Sequence, residues 1–173
     1  MTGKQLMATT AVVALLMTMA ACKKAGEFGT AEAPVDTAAV ATMVKANVND
    51  VVGAFNDRNA EKATSYDAPD YVSMMHGTAN LVGKDADLAA NTALVADPNL
   101  KLSVSNESVD VAEAGDMATY RATYSYTFTD PKTKAPATEV GNWLIGFKKQ
   151  PDGTLKMAWG VVSDTPAAAA TAP

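Results

Sequence analysis

Residues 118 to 129 (ATYRATYSYTFT) constrain this chain more than any other stretch. Ala118, Tyr120, Ala122, Tyr124, Tyr126 and Phe128 alternate without a break with Thr119, Arg121, Thr123, Ser125, Thr127 and Thr129. Successive side chains of a strand point to opposite faces, so the alternation predicts a long antiparallel strand with one apolar and one polar face. Its neighbours keep the same period. Leu100, Leu102 and Val104 alternate, then Val109 and Val111 continue in the opposite parity, which predicts a bulge at Asn106-Glu107-Ser108. Trp143, Ile145 and Phe147 alternate in a third strand and Leu155, Met157, Trp159 and Val161 in a fourth, with both tryptophans expected to be largely buried. Turn chemistry at Ala114-Gly115-Asp116, Asp130-Pro131 and Pro151-Asp152-Gly153 joins these strands as hairpins.

Helical periodicity comes earlier in the chain. Asp36 can cap a helix whose apolar positions Val40, Met43, Val44, Val48, Val51, Val52 and Phe55 share one face. Asn59 suits both the end of that helix and the N-cap of a short second one, with Glu61 in its first turn and its end near Tyr66. Pro69 is expected to break the chain, and Tyr71 to His76 to form a strand. After Gly83, a third helix capped by Asp85 carries Leu88, Thr92 and Val95 on one side and stops at Asp97-Pro98. Helices first and a strand meander afterwards predict an α+β domain, with the helices covering one face of a curved sheet.

The two ends fall outside this domain. Lys4 precedes an uncharged run from Leu6 to Met19, too short for the roughly 20 residues of a membrane-spanning helix. Met19-Ala20-Ala21-Cys22 resembles the lipobox of bacterial lipoproteins, although leucine is usual where Met19 stands. The expected organisation is a signal peptide over 1–21, lipidation at Cys22, a flexible tether over 22–35, a folded domain over 36–164 and a disordered tail over 165–173. Lys23 follows the cysteine where aspartate commonly retains lipoproteins at the inner membrane. By resemblance to that sorting rule, the expected location is periplasm-facing, at the outer membrane.

Charge and composition exclude several functions. The formal net charge is −5, and loss of Lys4 with the leader would take it to −6. An acidic surface repels phosphate backbones and anionic headgroups, so no nucleic-acid partner is expected, and membrane contact only through the lipid anchor. One histidine and one cysteine cannot build a structural zinc site, and Asp57-Arg58-Asn59-Ala60-Glu61 has Lys62 where a calcium loop needs glycine. There is no glycine-rich phosphate loop and no local triad motif, so neither metal nor cofactor is expected.

Phe55-Asn56-Asp57-Arg58-Asn59-Ala60-Glu61-Lys62-Ala63, followed by Tyr66, Asp70-Tyr71-Val72 and Gly83-Lys84-Asp85, resembles the opening half of a nuclear-transport-factor-2-like domain. The segment from Gly141 to Gly153 is similar to the hairpin that closes such domains. The resemblance covers nearly all of 36–164 and implies a cone-shaped antiparallel sheet of the cystatin-like type, covered by N-terminal helices, with a pocket at its wide end. It also implies kinship with ketosteroid isomerases and SnoaL-like cyclases, and a homodimer formed through the sheet. Fold does not transfer function. Two departures count against catalysis. Isomerase-like members keep a carboxylate base in the strand after the second helix, and Tyr71 to His76 contains none. Leu155 and Gly160 stand where close relatives have tryptophan and aspartate.

The expected site is a pocket for an apolar or aromatic small molecule, with Tyr66, Met74, His76, Tyr124, Trp143 and Trp159 as lining candidates. Val72, Met74 and His76 share one parity, so apolar side chains facing the cone would bring the imidazole with them. His76 is the one catalytic candidate, as a base, against the plainer role of a hydrogen-bonded surface histidine. Asp67 and Asp70, flanking Pro69, are expected to be turn residues. Asn142 fits either a ligand contact or solvent, and Arg121 either a dimer salt bridge or simple exposure. Binding without turnover is the favoured function. A proton-transfer enzyme (isomerase, dehydratase or cyclase) is the first alternative, and a dimeric interaction module the second.

Overall fold

The computed structural model describes residues 34–165. The leader, Cys22, most of the tether and the tail beyond Thr165 lie outside the described residues.

Helix α1 (Thr37–Asn56) opens where the Asp36 side chain accepts a hydrogen bond from the Ala39 N–H at 2.9 Å. Val44, Val48, Val51 and Ala54, three or four residues apart, form its buried stripe. Met43, expected in that stripe, lies at its rim and is exposed. Asn59 serves both helices it was expected to serve. Its backbone N–H donates to Ala54 O at 2.8 Å and closes α1, and its side chain accepts from Lys62 N at 2.9 Å and opens α2 (Ala60–Ala63). The last turn before the sheet, Thr64–Tyr66, is 3₁₀ rather than α.

Strand β1 (Asp67–Met75) begins four residues earlier than the alternation predicts. Pro69 does not end it. The proline sits between Asp67 and Val72, where the pairing with the neighbouring strand shifts register and a missing N–H costs no ladder bond. A two-residue strand, β2 (Leu81–Val82), pairs antiparallel with β1. Helix α3 (Lys84–Val95) starts one residue before the expected cap. Gly83 takes the N-cap place at φ 92°, a conformation that favours glycine, and Asp85 falls in the first turn. The buried residues of α3 are Asp87 and Asn91, not the expected side of Leu88, Thr92 and Val95.

The rest is the meander: β3 (Lys101–Val111), β4 (Met117–Thr129), β5 (Pro136–Lys149) and β6 (Leu155–Asp164). The sheet order is β2-β1-β6-β5-β4-β3. It is not antiparallel throughout, because β6 returns beside β1 and runs parallel to it. The predicted bulge in β3 is present. Its register with β4 shifts between Ser105 and Ser108, Asn106 adopts φ 54°, and Leu102, Val104, Val109 and Val111 all pair with inward residues of β4. Asn56 clamps the β3 edge with two 2.9 Å hydrogen bonds, to the N–H and the carbonyl of Leu102.

One further bulge was not legible. Phe147 pairs with Met157 and Gly146 with Trp159, which leaves Ala158 as an extra residue in β6. Leu155 and Met157 are buried, but from Trp159 onward the parity is reversed. Trp159 lies across the outer face over Gly146, where a Cβ would come within 2.1 Å of the indole. Both tryptophans keep part of their surface exposed, and neither belongs to the fully buried core. The core proper joins Val44, Val48 and Val51 of α1 to Tyr71, Tyr120, Ile145, Phe147 and Met157 of the sheet. The result is an α+β fold, with helices over one face of a six-stranded curved open sheet. Among the described residues no helix is long and apolar enough to cross a membrane.

Candidate functional site

The inward face of the sheet and the helices line an open cavity of about 830 Å³. Its size follows from the sequence of β4 and β5. Beyond Ala122 and Ile145 the inward side chains Tyr124, Tyr126, Phe128 and Trp143 form one wall. Phe55 at the end of α1, Leu100 and Leu102 of the β3 region and Leu94 of α3 close the other sides. Tyr126 and Phe128 stack with ring centroids 5.3 Å apart. Such a volume, walled mainly by apolar groups with a few polar ones, is typical of small-molecule sites.

Three polar groups interrupt the apolar wall. In the first, His76 Nε2 stands 3.2 Å from Glu139 Oε1, and the Tyr124 hydroxyl donates to the same oxygen. Burial, and then the carboxylate beside it, raise the Tyr124 phenol above its ordinary range. In the second, Asp97 accepts from Thr129 N and Oγ1, both at 2.6 Å, and from Asn99 N at 2.9 Å. These bonds, the Thr129 hydroxyl first, hold its carboxyl below the usual range.

The third group is Asp67 with Asp87. Asp67 opens β1 and is only 2% exposed, and Asp87 occupies the first turn of α3 at 7%. Asp87 Oδ2 accepts from Asn91 Nδ2 at 2.6 Å, one helical turn on. No N–H or hydroxyl among the described residues reaches either Asp67 oxygen. Two adjacent carboxylates out of water cannot both ionise cheaply. Burial first, and then the Asp87 charge, push Asp67 up from 3.8 to about 8, with Lys84 and Lys156 pulling weakly the other way. Burial also raises Asp87, against hydrogen bonds from Asp67, Asn91 and Ser73 that favour its charged form. Near neutrality Asp67 therefore keeps a proton, which it shares with Asp87.

The expected site residues divide. His76, Tyr124 and Trp143 line the cavity. Met74 does not, because Tyr71, Ser73 and Met75 are the inward residues of β1, and Val72 and Met74 lie on the outer face with Trp159. His76 reaches the cavity from the turn after the strand, not through the parity expected of it. Tyr66 is turned away as well, its hydroxyl donating to Asp50 at 2.8 Å. Arg121 pairs with Asp110 of the same chain at 2.9 Å, and Asn142 is exposed.

The largest difference concerns the acids. Asp67 is not a turn residue, and the strand read as free of carboxylates starts early enough to aim one inward. Asp87 and Asn91 were not singled out either. Their one sequence signal is the i, i+4 spacing of two polar residues on the side of α3 that also carries Ala90 and Leu94. Among the described residues no group of three or more histidine, cysteine, aspartate or glutamate side chains is arranged to hold a metal.

No protein-family model matches the chain, and no curated protein matches it in sequence. Solved structures do match its fold. A ketosteroid isomerase-like protein from Erwinia carotovora superposes with a TM-score of 0.60 at 19% identity, over 73% of this chain and 96% of its own. A candidate dehydratase of the NTF2-like family from Streptomyces avermitilis gives 0.62 at 16% identity, over 73% and 96%. An NTF2-like protein with a cystatin-like fold from Novosphingobium aromaticivorans gives 0.59 at 19%, over 73% and 82%. At these identities the likeness concerns architecture alone. The chain has the nuclear-transport-factor-2-like, cystatin-like fold.

Proposed function

We propose that the domain binds a largely apolar small molecule in this cavity without turning it over, and that a lipid on Cys22 tethers it to the cell envelope facing the periplasm. The observation that carries the binding reading is the 830 Å³ cavity itself, lined by side chains of α1, α3, β4 and β5. A cleft of this size, walled mainly by apolar groups with a few polar ones, is the usual setting for a small-molecule ligand. Native mass spectrometry of protein purified from its own host tests this directly. A co-purified small molecule that is lost when Ala90, in the cavity wall, becomes phenylalanine is the expected result; ligand retained by Ala90→Phe would place it elsewhere.

The anchor has its own test. Cys22→Ser should release the protein from the membrane fraction or leave it unprocessed. Unchanged fractionation together with unchanged mass would end the lipoprotein reading.

A proton-transfer enzyme is the second reading, favoured by the shared proton of Asp67 and Asp87 inside the cavity, since perturbed acids gather at active sites. His76 does not support it, being exposed at the mouth and occupied with Glu139. His76→Ala is therefore expected to change ligand affinity modestly or not at all. A turnover that falls a hundredfold or more in Asp67→Asn, with fold and binding intact, would establish the enzymatic reading. The same loss in His76→Ala would restore the imidazole as a base.

A further inference from the structure

We infer that the ligand is a cation, an apolar primary amine whose ammonium group is held between Asp67 and Asp87. The inference rests on the binding reading above and deepens it. Among the described residues four carboxyl groups line the cavity, Asp67, Asp87, Asp97 and Glu139, and no lysine or arginine does. Clefts lined by one sign of charge with low-dielectric walls concentrate the opposite charge. Three of the four acids already have donors: Asp97 from Thr129 and Asn99, Glu139 from Tyr124, and Asp87 from Asn91. Asp67 alone has none, although it is the most buried of them.

A buried carboxyl without a donor is costly, and such orphans are rare in native proteins. Alone, the pair relieves the cost by sharing a proton. An ammonium relieves it better, since it brings three N–H donors and a full positive charge to two carboxyl groups. A divalent metal is a poorer fit, because no third histidine, cysteine, aspartate or glutamate joins the pair among the described residues, and hard cations take six or more oxygen ligands. Beyond the pair the walls are apolar and aromatic, with Phe55, Leu102, Tyr126, Phe128 and Trp143 set to cover a hydrocarbon or aromatic tail. The chain as a whole is acidic, which favours the approach of a cation.

Binding is then an exchange. The ammonium keeps its own proton, and the proton shared by Asp67 and Asp87 leaves to solvent as the second carboxylate forms. The charged and titratable groups acting on Asp67 are Asp87 and Lys84 of α3 and Lys156 of β6, with Tyr71 of its own strand nearby. Neither lysine lines the cavity, and Lys156 Nζ donates to Ser65 O at 2.9 Å. Affinity should therefore rise with pH, by up to about tenfold per unit where one proton is released. It should level off near pH 8 and fall again as the amine itself deprotonates, around 10 for an alkylammonium.

The test is isothermal titration calorimetry of the purified full-length chain with three matched probes: 4-phenylbutylamine, 4-phenylbutan-1-ol and 4-phenylbutyrate. The amine is expected to bind at least tenfold more tightly than the alcohol at pH 8, and the carboxylate more weakly than either. Proton release should appear on comparing buffers of different ionisation enthalpy. Asp67→Asn should remove most of the amine's advantage over the alcohol. Asp87→Asn is the second variant if circular dichroism finds the first misfolded. Alcohol or carboxylate binding as well as the amine would overturn the cation while leaving the cavity a ligand site. An amine advantage intact in a folded Asp67→Asn or Asp87→Asn variant would overturn the placement. Binding by none of the three would overturn the binding reading, and the inference with it.

Discussion

Phe147→Ala is expected to leave little of the chain folded at growth temperature. Phe147 is fully buried among Val44, Tyr120, Ile145 and Met157, and truncating such a side chain removes its transfer energy and leaves a void that close-packed neighbours fill only in part. The cost should be about 3–5 kcal/mol. A domain of this size holds roughly 5–15 kcal/mol in total. Trp143→Ala and Trp159→Ala should cost clearly less. One indole borders an open cavity and the other lies partly exposed across Gly146 on the outer face. Urea unfolding followed by circular dichroism orders the three. A Trp159→Ala midpoint as low as that of Phe147→Ala would mean that β6 does not reverse its parity at Ala158.

Asp67→Asn is expected to change how stability depends on pH. Asp67 holds its proton to about pH 8 in the folded chain, against an ordinary value of 3.8, and Asp87 is shifted in the same direction. Between those limits the folded state binds more protons than the unfolded state, so stability falls as pH rises. The contribution of the pair is fully present below pH 3.8 and is lost as pH rises through about 8. One unit of pKa difference is worth about 1.4 kcal/mol, so the loss across this window should reach several kcal/mol. Asparagine cannot ionise, and its amide can donate to Asp87 as the protonated acid does. The variant should therefore be the more stable chain at pH 8, and the two should converge near pH 4, read as urea midpoints across that range. Parallel midpoints for the two proteins at every pH would mean that no proton is shared between Asp67 and Asp87.

Both expectations depend on features that differ in how far they could be read from the residues alone. The alternation over Ala118 to Phe128 puts Tyr124 on the same face as Tyr120 and Tyr126, the face that lines the cavity, because a side chain's face in an uninterrupted strand depends only on its parity. The same rule misplaced Trp159 and Met74. A one-residue bulge reverses every later side chain, and in β1 the choice between two half-apolar faces depended on which of them met the helices. Asn106 announced its bulge through a parity change flanking a turn-forming residue. Ala158 had no such marker, and its bulge became visible only in the pairing of Gly146 and Phe147 with β6.

By itself the sequence determined what short-range chemistry can determine: the caps at Asp36 and Asn59, the strands of the meander, the hairpin turns, and the order of elements that makes the fold α+β. Each depends on groups within a few residues of one another, where backbone geometry leaves few alternatives. The tertiary structure alone decided the parallel return of β6 beside β1, the outward turn of Trp159, and the meeting of Asp67 with Asp87. Those two acids lie on different elements, at the start of β1 and in the first turn of α3. Neither position differs locally from an ordinary surface aspartate. Their shared proton exists because packing α3 against β1 removes both carboxyls from water at once, and no local pattern of residues encodes that desolvation.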